Sequence, residues 1–177
     1  MSDITLTSVR RMVEQDLDLV LAWRNHPEVR RYMLTQHEIT IAEHRAWFER
    51  SSRNKAHAPL VIEENAQPFG CVVFTDALPH STSDWSFYVA PGNPPGTGTR
   101  MCSAALDFAF KELHVHKVAG RVLDFNGASI RIHRRLGFTH EGTLREHCLV
   151  NQTHHDLQCF GVLSSEWRAR NGVSSIT

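Results

Sequence analysis

Two short stretches carry residue types whose spacing could do chemistry. The first, Gly96-Thr97-Gly98, stands between a strand-like apolar run and the start of a long amphipathic run. At such a junction several backbone N–H groups lack an intrahelical acceptor and point into the gap, where they suit a phosphate. Glycine permits close approach to the main chain, Thr97 and Thr99 can add hydroxyl donors, and Arg100 puts a positive charge at the rim. A dinucleotide fold would need a third glycine and a later ribose-binding acid, and a triphosphatase loop would end in Lys then Ser or Thr; both are absent. Taken alone, the loop reads more readily as a turn and helix cap. The second stretch runs from Asn126 to Leu136-Gly137-Phe138 and holds Ser129, Arg131, His133, Arg134 and Arg135. By itself His133, among Arg131, Arg134 and Arg135, reads as a helix-surface histidine.

Other chemistries are poorly supplied. The four cysteines, Cys71, Cys102, Cys148 and Cys159, form no CxxC pair and read as small, mostly buried thiols. The twelve histidines include His114/His116 and His154/His155 but no HxxxH or HExxH spacing, so no metal is expected. Nineteen Lys+Arg against nineteen Asp+Glu leave a formal net charge of zero, which argues against a nucleic-acid or anionic-lipid partner. No apolar run approaches the roughly 20 residues of a bilayer span, and Met1 to Thr5 lack the features of a signal peptide, so the expected location is the cytoplasm.

The elements that must position these residues follow from periodicity. Ile4 to Thr7 alternates like an opening strand, and Leu17, Leu19, Val20, Leu21 and Trp23 mark the inner face of a helix from Val13 to Asn25, broken by Pro27. A second helix starts after Thr40, with Glu43 placed for a capping box, and runs to Ser51 and Ser52. Pro59 to Glu63, Phe69 to Thr75 and Trp85 to Val89 read as an antiparallel meander. Met101 to Leu113 is a long helix, Lys117 to Leu123 a strand, and Asn126 to Leu136 a short basic helix closed by Gly137. Two last strands, Thr143 to Val150 and His155 to Leu163, flank a turn at Asn151 and Gln152, and Trp167 sits on a final helical turn. The expected class is mixed α/β (α+β), with about seven strands in one mixed sheet covered by about four helices. One domain over residues 1–170 with a flexible tail at 171–177 is the expected organisation, since 177 residues support a single core.

The Gly loop, Asn126 and the Leu136-Gly137-Phe138 exit together resemble the Gcn5-related N-acetyltransferases. The family's loop begins with Arg or Gln; here Asn93 takes that place, followed by Pro94, Pro95, Gly96, Thr97 and Gly98. The resemblance implies a sheet splayed between its fourth and fifth strands, with acetyl-CoA as co-substrate and its pantetheine lying in the gap. Phe87, Tyr88 and Val89 would bond the pantetheine and, at a bulge, aim an N–H at the thioester carbonyl. The cradle for the rest of the donor would be Asn93, Gly96, Thr97, Gly98, Thr99, Arg100, Ser129 and Arg135. Asn126 would bond a pantetheine amide, and His133 would replace the tyrosine that protonates the leaving thiolate.

The first fifty residues, from Trp23-Arg24-Asn25-His26-Pro27-Glu28 through His44 and Trp47, resemble family members of pseudaminic acid biosynthesis, which acetylate the 4-amino group of a UDP-linked deoxy-aminosugar. That likeness implies nucleotide-sugar contacts from Arg24, His44, Thr75 and Tyr88, while Trp23 and Trp47 are expected to be core. Ribosomal-protein-type N-terminal acetyltransferases, polyamine acetyltransferases and a non-catalytic acyl-CoA sensor are the rival readings. Relatives often dimerise through their last two strands, so a homodimer is also an expectation.

Overall fold

The computed structural model describes residues 6–172. Strand β1 (Thr7–Arg11) leads through a single 3-10 turn (Glu14–Asp16) into α1 (Leu17–Asn25), and the short α2 (Pro27–Arg30) follows at once. Pro27 therefore both breaks one helix and opens the next: it occupies the first turn of α2, where its missing N–H costs nothing, and the His26 ring caps it by accepting from the Glu28 N–H. Helix α3 (Ile41–Arg53) begins on the expected capping box, Thr40 Oγ1 accepting from the Glu43 N–H at 3.2 Å and Glu43 Oε2 accepting from the Thr40 N–H at 2.7 Å. Next come β2 (Ala58–Glu64), β3 (Gln67–Thr75), β4 (Thr82–Val89), α4 (Thr97–Lys111), β5 (Lys117–Leu123), α5 (Gly127–Arg135), β6 (Thr139–Val150), β7 (Thr153–Leu163) and α6 (Ser164–Arg170). The four expected helices are joined by two short ones, α2 and α6. The opening strand lies later than expected, and its expected start at Ile4 and Thr5 falls outside the described residues, as does most of the expected tail.

The seven strands form one sheet in the order β1-β2-β3-β4-β5-β7-β6, with only β4 and β5 parallel. Both faces are covered, which is why β2 is buried at five consecutive positions instead of alternating. Leu60 and Ile62 turn toward Met101, Ala105 and Leu106 of α4, and Val61 turns toward Leu17, Val20 and Trp23 of α1. Trp23 is thus core, as expected, while Trp47 is half-buried and stacks on His44. Cys71 and Cys102 are buried; Cys148 and Cys159 are only partly so, and all four are free thiols. Among the described residues no helix is long and apolar enough to cross a membrane, and no group of three or more His, Cys, Asp or Glu is placed to hold a metal ion.

Where β5 passes beneath α5, Gly120 makes room for two rings. A Cβ there would strike His133 Nε2 and Trp85 Nε1, the two atoms of a buried hydrogen bond. Gly120→Ala is therefore expected to destabilise the fold by about 1–3 kcal/mol, as overpacking does. Urea unfolding checks this, and an unchanged midpoint would contradict the packing described.

Candidate active site

Strands β4 and β5 pair only at Thr82–Asp84 and Lys117–Ala119. Beyond that, β4 follows β3 and β5 follows β7 along its whole length, and sheet twist carries the two apart. The gap becomes a cleft of ≈ 780 Å³ walled by β4, the 90–98 loop, α5, the turn after α2 and one segment of β6. Asp84 to Val89 keep an uninterrupted register with β3, so the expected bulge is not present in β4. Alternation does the same work. Ala90 N–H donates to the Phe69 carbonyl at 2.8 Å, which turns the main-chain groups of Tyr88 toward β3 and those of Phe87 and Val89 toward the cleft.

The loop ends in Gly96, the N-cap of α4, whose φ of 92° is left-handed and favours glycine. Thr97, Thr99 and Arg100 N–H groups make long bonds of 3.3, 3.1 and 3.3 Å to the carbonyls of Pro94 and Gly96, leaving the Gly98 N–H without a carbonyl inside the loop. The Thr97 hydroxyl is buried with no partner. A Cβ on Gly98 would approach Ile132 Cδ1 to 2.9 Å, so glycine there keeps α4 against α5. Asn93 lines the cleft, but its Nδ2 donates to the Ala90 carbonyl at 2.9 Å and shapes the turn. Asn126 caps α5, its Oδ1 accepting from the Ser129 N–H at 3.1 Å, and both residues line the cleft.

Several expected site residues stand elsewhere. Thr99 does not line the cleft; Arg100 pairs with Glu64 at 3.3 Å, and the Arg135 carbonyl accepts from Arg170 Nη2 at 2.6 Å. Arg24 and His44 do not line the cleft, and Arg24 Nη2 donates to the Thr35 carbonyl at 3.1 Å. Arg24 Nη1 and His44 Nε2 are buried without partners. Burial holds both groups below their ordinary pKa values, and the Arg24 charge adds to the effect on His44. Thr75 and Tyr88 do line the cleft; the Tyr88 hydroxyl, however, meets the buried Cys71 thiol.

His133 requires a correction. It is 1% exposed in the cleft floor, Nδ1 donating to the Ser129 carbonyl at 2.8 Å and Nε2 accepting from the Trp85 indole N–H at 3.1 Å. Phe160 stacks on it at 5.1 Å, and burial pushes its pKa down to about 4. Its one proton is bonded to a carbonyl and its other nitrogen is occupied, so it is not poised to protonate a leaving thiolate. The sequence pattern missed this because the space above Gly120, on a different element, decides where the ring goes. Asp84, Arg121, His147 and Cys148 line the cleft without having been anticipated; His147 reaches it from an irregularity in β6 that no local residue pattern announces.

A family model described as an acetyltransferase (GNAT) domain matches residues 7–139, and the chain belongs to that family. Among its relatives, the SPbeta prophage-derived uncharacterized N-acetyltransferase YokL of Bacillus subtilis is 28% identical over 89% of this chain and 91% of that protein. Acetyltransferase PseH of Campylobacter jejuni is 23% identical over 77% of this chain and 85% of that protein. The crystal structure of spermidine N-acetyltransferase from Vibrio cholerae in complex with CoA and spermine superposes with a TM-score of 0.84 at 21% identity, over 91% of this chain and 97% of the other, a likeness of fold. The protein is an acetyl-CoA-dependent N-acetyltransferase. The residues present fit that co-substrate: an unpartnered buried threonine hydroxyl and a free N–H at a helix N-terminus suit a pyrophosphate, and the open edge of β4 suits a chain of amides.

The locked His133 gives a pH signature. Its folded pKa lies below the unfolded value of about 6.5, so its contribution to stability is complete above that pH and is lost as pH falls toward about 4. Between about pH 8 and pH 5 the wild type should lose about 2 kcal/mol that His133→Phe does not lose. Urea midpoints at the two pH values measure this; equal losses would contradict the buried neutral imidazole.

Proposed function

We propose that the acceptor is the 4-amino group of a UDP-linked deoxy-aminosugar. The observation that carries this reading is Arg24: a half-buried guanidinium with one nitrogen unpartnered and, among the described residues, no carboxylate within ion-pair distance. An uncompensated cation at that depth is costly unless an anion joins it. A diphosphate supplies that charge, whereas a polyamine would add repulsion. Arg24 lies beside Tyr88, which lines the cleft together with Thr75, and these three with His44 are the proposed nucleotide-sugar contacts. The likeness of the first fifty residues to sugar-acetylating relatives supports the same reading, and the supply of both substrates supports a cytoplasmic location. A homodimer is proposed as well, since β6 is an edge strand with Leu144 and Leu149 exposed.

In the donor half, the chain's own part is to cradle phosphates with the 96–98 loop and to offer the Phe87 or Val89 N–H to the carbonyl oxygen as charge gathers there. The co-substrate supplies an acetyl group activated as a thioester. Thiol release from acetyl-CoA should be fastest with a UDP-4-amino-4,6-dideoxy-N-acetylhexosamine, compared with spermidine and an N-terminal peptide. Arg24→Ala should raise KM for the sugar by about tenfold or more, as loss of a charge-assisted hydrogen bond does. Preference for spermidine or peptide would overturn the sugar reading, and no thiol release with any of the three would favour a sensor.

A further inference from the structure

The acceptor nitrogen must lose a proton, and His133, with both ring nitrogens hydrogen-bonded, is not free to take it. We infer that His147 is the general base, and that an irregular segment of β6 exists to deliver it. Leu144 pairs with Leu157 and Cys148 with His155, so Arg145, Glu146 and His147 stand opposite Asp156 alone. Glu146 takes a left-handed φ of 48°, a conformation a non-glycine residue holds only when its surroundings enforce it. The enforcement is visible. Glu146 N–H donates to Asp156 Oδ1 at 2.8 Å, Asp156 N–H donates to Asp124 Oδ2 at 3.3 Å, and His155 Nδ1 bonds Asp124 Oδ1 at 3.0 Å. Two carboxylates and an imidazole thus tie the bulge to the end of β5, and His147 is the bulged residue that lines the cleft. Bulges beside active sites commonly re-aim a side chain.

The remaining cleft groups do not compete. Asp84 from β4 faces Arg121 from β5 at 3.5 Å, and Cys148 packs with Leu123 and Leu157. Glu28 from α2 is a carboxylate and Tyr32 a phenol, whereas His147 brings an imidazole, the side-chain class suited to passing a proton near neutral pH. The charged groups nearest in the fold are Glu28, Asp84 and Arg121, which line the same cleft, and Arg145, Glu146, Asp156 and His155, which stand in or opposite the irregular segment. In the reaction the acceptor nitrogen's lone pair forms the C–N bond, and the C–S bond breaks with its electron pair leaving on sulfur. The nitrogen's proton passes to the free ring nitrogen of His147, which returns it to the thiolate and ends neutral.

This inference needs an amine acceptor but not a sugar, so it is tested with whichever amine of the three above the wild type acetylates, and in parallel by slow acetyl-CoA hydrolysis without acceptor. His147→Gln and His147→Ala in the full chain should lower kcat/KM at neutral pH by roughly 100-fold and abolish the ionisation on the ascending limb of the pH profile. Imidazole should partly restore His147→Ala, and the thermal shift caused by CoA should stay as in wild type. The ring 15N signal that disappears in His147→Gln should titrate in the free protein and shift when acceptor is added. A pH profile and rate within about threefold of wild type in both reactions, or a ring signal indifferent to acceptor, overturns the assignment. Failure of the sugar alone, with another amine accepted, overturns the substrate reading and not this one.

Discussion

The structure depends on an interrupted strand pairing. Three residues of β4 pair with three of β5, and after Asp84 the two strands separate. Buried main-chain N–H and C=O groups seldom go unpaired, so the exposed edge at Phe87 and Val89 is a standing demand for a partner with its own amides. Closing the gap with more sheet would satisfy the backbone and abolish the cleft. Every neighbouring element acts to keep it open: β3 and β7 hold the two strands apart along their outer edges, and α5 fills the floor with Ile132 and His133. The helix N-terminus at Gly96 then sits where the unpaired edge ends, so amide and phosphate recognition join in one continuous groove.

Buried polar groups separate scaffold from site. His133 and Arg24 are both withdrawn from water, and their partners tell them apart. His133 has every nitrogen bonded, with aromatic rings on several sides, and serves as a polar pin between α5, β4 and β5. Thr97, Arg24 and His44 each retain a buried atom with nothing to bond. Such atoms are tolerated where a ligand completes them. They fall at two distinct places, Thr97 at the N-terminus of α4 and the other two on α1 and α3.

Local signals in the sequence were the ones that survived folding. Thr40 with Glu43, the glycine turn before α4 and Gly137 at φ 84° each act within a few residues of their own position, and each could be read in order along the chain. The helices that frame the 96–98 loop were legible for that reason, whereas Thr99, Arg100 and Arg135, expected in the cradle, do not line the cleft. The acceptor half of the cleft was not legible, because its geometry comes from contacts between distant segments. The direction of the His133 ring is set by a missing side chain at Gly120; Arg24 Nη2 is held by the Thr35 carbonyl; the place of His147 is set by Asp156 on β7 and by Asp124 just after β5. The bulge expected in β4 was likewise a local guess at something alternation already provides.

The contrast between Arg24 and His44 carries the charge argument one step further. Burial disfavours the charged form of both, but only an imidazole can respond near neutral pH by releasing its proton. Arginine stays ionised, so its desolvation cannot be relieved by titration and must be relieved by a partner. The Thr35 carbonyl offers a dipole to one nitrogen and leaves the other bare. A neutral His44 beside a fixed guanidinium forms a site with one full positive charge and one neutral ring nitrogen. A phosphate oxygen can take the first and a hydroxyl or imide the second, whereas an ammonium chain would face the guanidinium at close range.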